Sequence, residues 1–153
     1  MIELEFDGYE ELKQAIALAP DIALQAAHPA MEDAVMFLHG QLPEYPAALP
    51  ESRYTRTATL GRKWTTTVVD EQTSVVGLLG TNVPYAPWVV GPDYPGLIIN
   101  GKQKFQAKVH VDRWWQFLDV VEKNEDSAWD AFSETFWKEF LEAMRKQANG
   151  GSL

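Results

Sequence analysis

Leu24, Ala27, Met31, Ala34, Val35 and Leu38 recur at spacings of three and four, which gives a helix from about residue 21 to Gly40 one apolar face. Upstream, Asp7 and Glu10 have capping-box spacing before a shorter helical pattern, Tyr9–Ala19, and Ile2, Leu4 and Phe6 alternate as an edge strand would. Pro20 is expected to separate the two helices. Pro29, whose ring clashes with the carbonyl of Gln25, is expected to kink the second or split it at His28. Beyond Gly40 the period disappears: Pro43, Pro46 and Pro50 mark residues 41–52 as a semi-rigid connector. A strand period follows, with Leu60, Arg62, Trp64, Thr66 and Val68 on one face and Lys63, Thr65, Thr67 and Val69 on the other. Asp70-Glu71-Gln72 supplies a turn and Thr73–Leu79 an apolar return strand closing at Gly80, so an antiparallel hairpin is expected.

The hairpin runs into Thr81-Asn82-Val83-Pro84-Tyr85-Ala86-Pro87-Trp88-Val89, a turn with two prolines and two aromatics. Asn82 tolerates a left-handed backbone, and the prolines fix φ and remove two donors, so this stretch is predicted to be a sheet edge or an exposed contact loop, not an inner strand. Residues 91–96 are turn-forming throughout. Leu97–Asn100 suggests a brief strand, and Phe105, Ala107, Val109 and Val111 alternate within a second one over Lys102–Val111. Asp112 is placed to cap a helix with Trp114, Phe117, Leu118 and Val121 on one side, broken over 124–127. In a last helix Trp129, Phe132, Phe136, Phe140 and Met144 step by three and four, Arg145 and Lys146 occupy the final turn, and Asn149-Gly150 ends it.

These patterns predict an α+β fold, with an N-terminal helix and C-terminal helices packed on a small antiparallel β-sheet. With 153 residues, 46% of them hydrophobic, the chain suits one domain: helical to residue 40, a connector over 41–52, β-rich over 53–111, helical over 112–149 and a tail over 150–153. The formal net charge is −9, so the molecule as a whole repels phosphate backbones and a general nucleic-acid binder is not expected. That charge is uneven: residues 1–50 hold one base and nine acids, residues 51–113 eight and five, and residues 114–153 four and eight. A basic middle between acidic ends lets one copy present opposite potentials to its neighbours. No apolar run is long enough to span a bilayer, and Met1 opens an acidic stretch without the pattern of a signal peptide, so neither secretion nor membrane insertion is expected. The absence of cysteine removes disulfides and thiolate chemistry and suits a reducing cytoplasm.

The motifs that carry chemistry are missing. His28 and His39 lie about 16 Å apart along an unbroken helix, beyond the reach of one ion, and although Glu32 is one turn from His28 no metal site is expected. His110 has no second ligand at the right spacing. Gly77, Gly80, Gly91 and Gly96 are turn glycines with no lysine in P-loop spacing, and no nucleophile elbow or paired acid motif occurs. No catalytic residue and no cofactor are therefore assigned. Among the tryptophans, Trp114 and Trp115 are expected on opposite sides, one of them at the surface, while Trp129 and Trp137 suit a core or an oligomer contact. Trp88 and Trp115 read best as interface anchors.

Thr57–Trp64 (TATLGRKW), a threonine-rich strand and hairpin, and Gly80–Val89 (GTNVPYAPWV) together resemble the head–tail joining and tail-completion proteins of long-tailed phages, the minor-tail Z-like neck proteins. The likeness covers about residues 20–92, with Ala58 where glycine is expected, and fades after Gly91. It implies a structural, non-catalytic virion subunit made in the host cytoplasm. Such a subunit forms a ring, commonly a hexamer, around the DNA channel, between head connector and tail tube or terminator proteins. DNA would pass without specific binding, helped by an acidic lumen. In that setting Asn82 and Trp64 would shape the contact region, Pro84 and Pro87 would stiffen it, Tyr85, Trp88 and Trp115 would anchor a neighbour, and Arg56 and Arg62 would pair with an acidic helix of the next subunit. Two rival readings are a small cytoplasmic enzyme or ligand-binding protein using Arg62, His110 and a carboxylate, and a DNA-contacting connector using Arg53, Arg56, Arg62, Lys63, Lys102, Lys104 and Lys108.

Overall fold

The computed structural model describes residues 9–42, 59–91, 97–99, 102–104 and 106–149. The expected edge strand at 2–6, the Asp7 cap, the body of the proline-rich connector, Arg53, Arg56, the turn at 92–96 and the terminal tail lie outside them. Among the described residues, four helices, one antiparallel hairpin and a second antiparallel strand pair make up an α+β fold, as the sequence pattern predicts. Helix α1 spans Tyr9–Gly40, strands β1 and β2 are Trp64–Asp70 and Val75–Thr81, and α2 is Ala86–Val90. Strands β3, Leu97–Ile99, and β4, Lys102–Lys104, precede α3, Phe117–Lys123, and α4, Glu125–Ala148.

Helix α1 corrects the expectation of two helices, because both Pro20 and Pro29 lie inside it. Each proline removes a backbone hydrogen bond, at a local cost of roughly 3 kcal/mol. Burial offsets it. Ile22, Ala26, Ala30 and Ala34 are all 8% exposed or less and step by four, a ridge that closes on the neighbouring elements along the helix. Helix α4 lies chiefly along α1, where Thr135 donates to Asp33 at 2.5 Å, and α1 also packs on both strands of the first hairpin. The sequence picks out Ala34 and Val35 among the buried α1 positions but passes over Ile22, Ala26 and Ala30.

The β1–β2 hairpin pairs Trp64 with Thr81 and Asp70 with Val75. Its faces alternate as predicted, with Trp64, Thr66 and Val68 turned toward the protein and Thr65, Thr67 and Val69 exposed. The connection is a four-residue loop closed by Glu71 N–H donating to the Ser74 carbonyl and Ser74 Oγ donating to the Glu71 carboxylate, both at 2.8 Å. Leu60 and Arg62 belong to the turn before β1, not to the strand, and Leu60 is buried while Arg62 is exposed.

Three further expectations change. The strand anticipated over 102–111 stops at Lys104, because β3 offers only three partners; residues 108–113 instead form turns, with His110 N–H on the Ala107 carbonyl at 2.7 Å and Trp114 N–H on the His110 carbonyl at 2.8 Å. Asp112 is not a helix cap: it has φ of 59°, a left-handed conformation that aspartate tolerates, and α3 starts later, after Gln116. The break between the last two helices is Asn124 alone, whose Nδ2 donates to the Val120 carbonyl at 2.8 Å and whose own carbonyl accepts from Ala128 N–H at 2.9 Å.

Near the hairpin's turn end, His28 Nδ1 meets Asp70 Oδ1 at 2.7 Å, with Glu32 at 3.6 Å from Nε2. The hydrogen bond to Asp70 comes first among the influences that raise the imidazole pKa above its usual 6.5. A raised folded-state pKa means the ion pair contributes fully below pH 6.5 and is lost as pH climbs through the higher value. The stability difference between wild type and His28→Gln is therefore expected to shrink as pH rises past neutrality and as salt is added, since the pair is solvent-exposed. Urea titrations across that pH range check it; a difference independent of pH would remove the ion pair from the account.

Candidate functional site

Thr81 ends β2, and from there to Gly91 the chain is neither strand nor extended loop. Val83 N–H bonds Thr81 Oγ1 at 3.3 Å, Ala86 N–H bonds the Val83 carbonyl at 3.0 Å, and the chain turns directly into α2. Pro87 sits in the first turn of α2, where its missing donor is harmless. Asn82 does not use the left-handed region, since Asp112 is the one non-glycine residue with positive φ among those described. Val83, Ala86 and Val90 face inward and join Leu60 in a buried cluster, against which Trp64, Val89, Trp114, Trp115 and Phe117 pack. A Cβ at Gly91 would collide with the Pro87 carbonyl, so the chain leaves α2 where glycine alone fits.

The short helix is tied down from the far side of the sequence. Its last carbonyls have no partner within the helix. Ala107 N–H donates to the Trp88 carbonyl at 2.8 Å, and the Nε2 of Gln106, 1% exposed, donates to Val89 O at 2.7 Å and Trp114 O at 3.2 Å. Gln106 has no sequence signature, and only the fold shows that it joins α2 to the segment before α3.

Between α2, the open end of the first hairpin and α3 lies an apolar groove of about 440 Å³. Trp64, Asn82, Pro84 and Pro87 are among its walls, so four of the residues singled out in the sequence converge here. Trp64 stacks on Phe117 at 5.1 Å and 10°, with Trp115 tilted against it at 6.1 Å. Tyr85 and Trp88, 41% and 36% exposed, sit on the same segment but do not line the groove. Trp114 and Trp115 are both half-buried against one core, contrary to the expectation that one lies at the surface, because no regular helix or strand forces them apart. Phe117 and Leu118 complete the wall from α3 and were legible only as that helix's apolar side.

A second apolar surface runs along α4. Trp129 and Trp137 are 64% and 57% exposed, and Ala128 alone is buried among that helix's described residues.

No protein-family model, curated protein or solved structure matches the chain. Among the described residues no group of three or more His, Asp or Glu side chains is placed to hold a metal ion, and no helix is long and apolar enough to cross a membrane. His110 packs edge-on against Trp114 at 5.6 Å.

Proposed function

We propose that this chain is a structural phage or prophage protein of the neck or head-proximal tail end, which joins or completes the tail by forming a ring around the DNA channel. The observation that supports this most directly is the pair of apolar surfaces left open on different elements, the groove beside α2 and the tryptophan-bearing side of α4. A subunit with two unlike adhesive faces is suited to head-to-tail association. The likeness of TATLGRKW and GTNVPYAPWV to neck and tail-completion proteins supplies the context, and the −9 charge suits a channel through which DNA slides. Its partners would be further copies of itself, the head connector, and tail tube or terminator proteins.

Quantitative mass spectrometry of purified particles from a phage-producing culture of the encoding strain tests this. A few ring equivalents per particle are expected, lost from particles when the only copy supplied is Trp129→Ser/Trp137→Ser. Absence from intact virions would sink the structural-joint reading. The groove's apolar walls also suit a small apolar ligand, the alternative of a ligand-binding protein; a bound lipid or metabolite co-purifying with monomeric protein would favour it.

A further inference from the structure

The exposed residues of α4 are ordered, not scattered. Trp129, Trp137 and Leu141, the last 48% exposed, lie with Ser133 on one row of every fourth residue, the ridge a helix offers to a groove. Phe132, Phe136 and Phe140 back this ridge in a continuous stack, with ring centroids 5.2 to 5.7 Å apart from Trp129 onward, so it is held in shape before any partner arrives. Its charge is one-sided. Glu125 and Asp126 lie one turn before Trp129 and Asp130 follows it, and no base occurs on the helix before Lys138. At the groove the signs reverse: exposed Arg62 and Lys63 occupy the turn that leads into Trp64, one of the groove's walls.

We infer that α4 of one copy seats its Trp129–Trp137–Leu141 ridge in the groove formed by Trp64, Pro87, Phe117 and Leu118 of a second copy, with Arg62 and Lys63 facing the acids around Trp129. The occupant is a second copy because both halves of the match, apolar shape and opposite charge, are present on this one chain. Exposed tryptophans entering an apolar recess are the kind of contact that dominates binding, and the flanking charges set orientation and encounter rate. Closure of this contact into a ring rests on the function proposed above; the contact itself does not.

Sedimentation and native mass spectrometry of the full chain and four variants test it. Trp129→Ser/Trp137→Ser removes the ridge at exposed positions. Leu118→Asp spoils the groove at a residue 45% exposed in the first turn of α3, where an acid suits the helix dipole, so each should fold. Each variant alone is expected to associate roughly 30-fold more weakly or worse. Mixed, they should regain a heterodimer through the one intact ridge and the one intact groove. Arg62→Glu should weaken association, and Asp130→Lys should restore it. Normal assembly by the Leu118→Asp protein, whether the ridge variant is impaired or not, overturns the inference, as does a wild-type chain that stays monomeric near millimolar concentration. Wild-type assembly that stops at a reciprocal dimer would uphold the contact and count against the ring; virion absence with intact ridge-to-groove pairing would count against the neck function alone.

Discussion

Replacing Gly77 with alanine is expected to lower stability by about 1–3 kcal/mol, and with valine by more. Gly77 lies in the middle of β2, opposite Val68, under α1. An added Cβ would stand 2.5 Å from Val35 Cγ1 and 2.6 Å from Met31 Sδ. Met31 can swing aside, but Val35 is β-branched and only 6% exposed, so the helix itself must move off the hairpin. Gly80, three residues along the same strand, is the internal control, since a Cβ there meets nothing within 4 Å. Gly80→Ala should be neutral or stabilising by up to about 1 kcal/mol, because glycine in a strand carries an entropic penalty. Thermal unfolding separates the two, at roughly 2–4 °C per kcal/mol for a chain of this length. Equal melting temperatures for both variants would mean that Gly77 does not set the helix-to-hairpin spacing.

That contrast marks what the sequence reveals and what it hides. Alternation along residues 64–70 gave the hairpin and its faces because one side is covered and the other wet, which is the condition under which a period of two is written into a strand. Nothing local distinguishes Gly77 from Gly80; their difference is the distance to α1. The same limit explains the prolines. Pro20 and Pro29 are strong local punctuation, yet the helix runs through both, because its burial against α4 and the hairpin is contributed by residues far away in sequence. Alternation over 102–111 misled for the converse reason, since a strand needs a partner as long as itself and β3 is three residues.

The candidate groove was half legible. Trp64, Asn82, Pro84 and Pro87 stood out as composition and converge in space, while Phe117 and Leu118 come from a helix some thirty residues later. Tyr85 and Trp88 stood out equally and lie outside the groove, so conspicuous residues marked the region but not its inner surface. The acids around Trp129 and the bases before Trp64 were visible as regional charge, and their relation to particular apolar surfaces needed the fold.

Gln106→Ala is expected to cost on the order of 3 kcal/mol, from two part-buried carbonyls losing a donor and from the cavity left behind. Gln106→Met separates the terms: it keeps the volume and withdraws the donor from Val89 O and Trp114 O, but it also removes Oε1, which is buried without a hydrogen-bond partner. A smaller loss, about 1–2 kcal/mol, is therefore expected. Gln106→Glu should be worse than Met at neutral pH, because a carboxylate would face two carbonyl oxygens in a buried site, and it should recover in acid once a proton can be donated. The decisive readout is local. A five-residue helix cannot hold itself, so if Gln106 and Ala107 supply its C-terminal bonds, hydrogen exchange at the amides of Ala86, Trp88, Val89 and Val90 should accelerate in Gln106→Met while α1 and α4 keep their protection. Loss of that order removes a wall of the groove, and association between copies should weaken with it although every ridge residue of α4 is untouched. Unchanged exchange at 86–90 would make Gln106 a space-filler, and the position of α2 would then rest on the Ala107–Trp88 backbone hydrogen bond and on Val83, Ala86 and Val90 packing on Leu60.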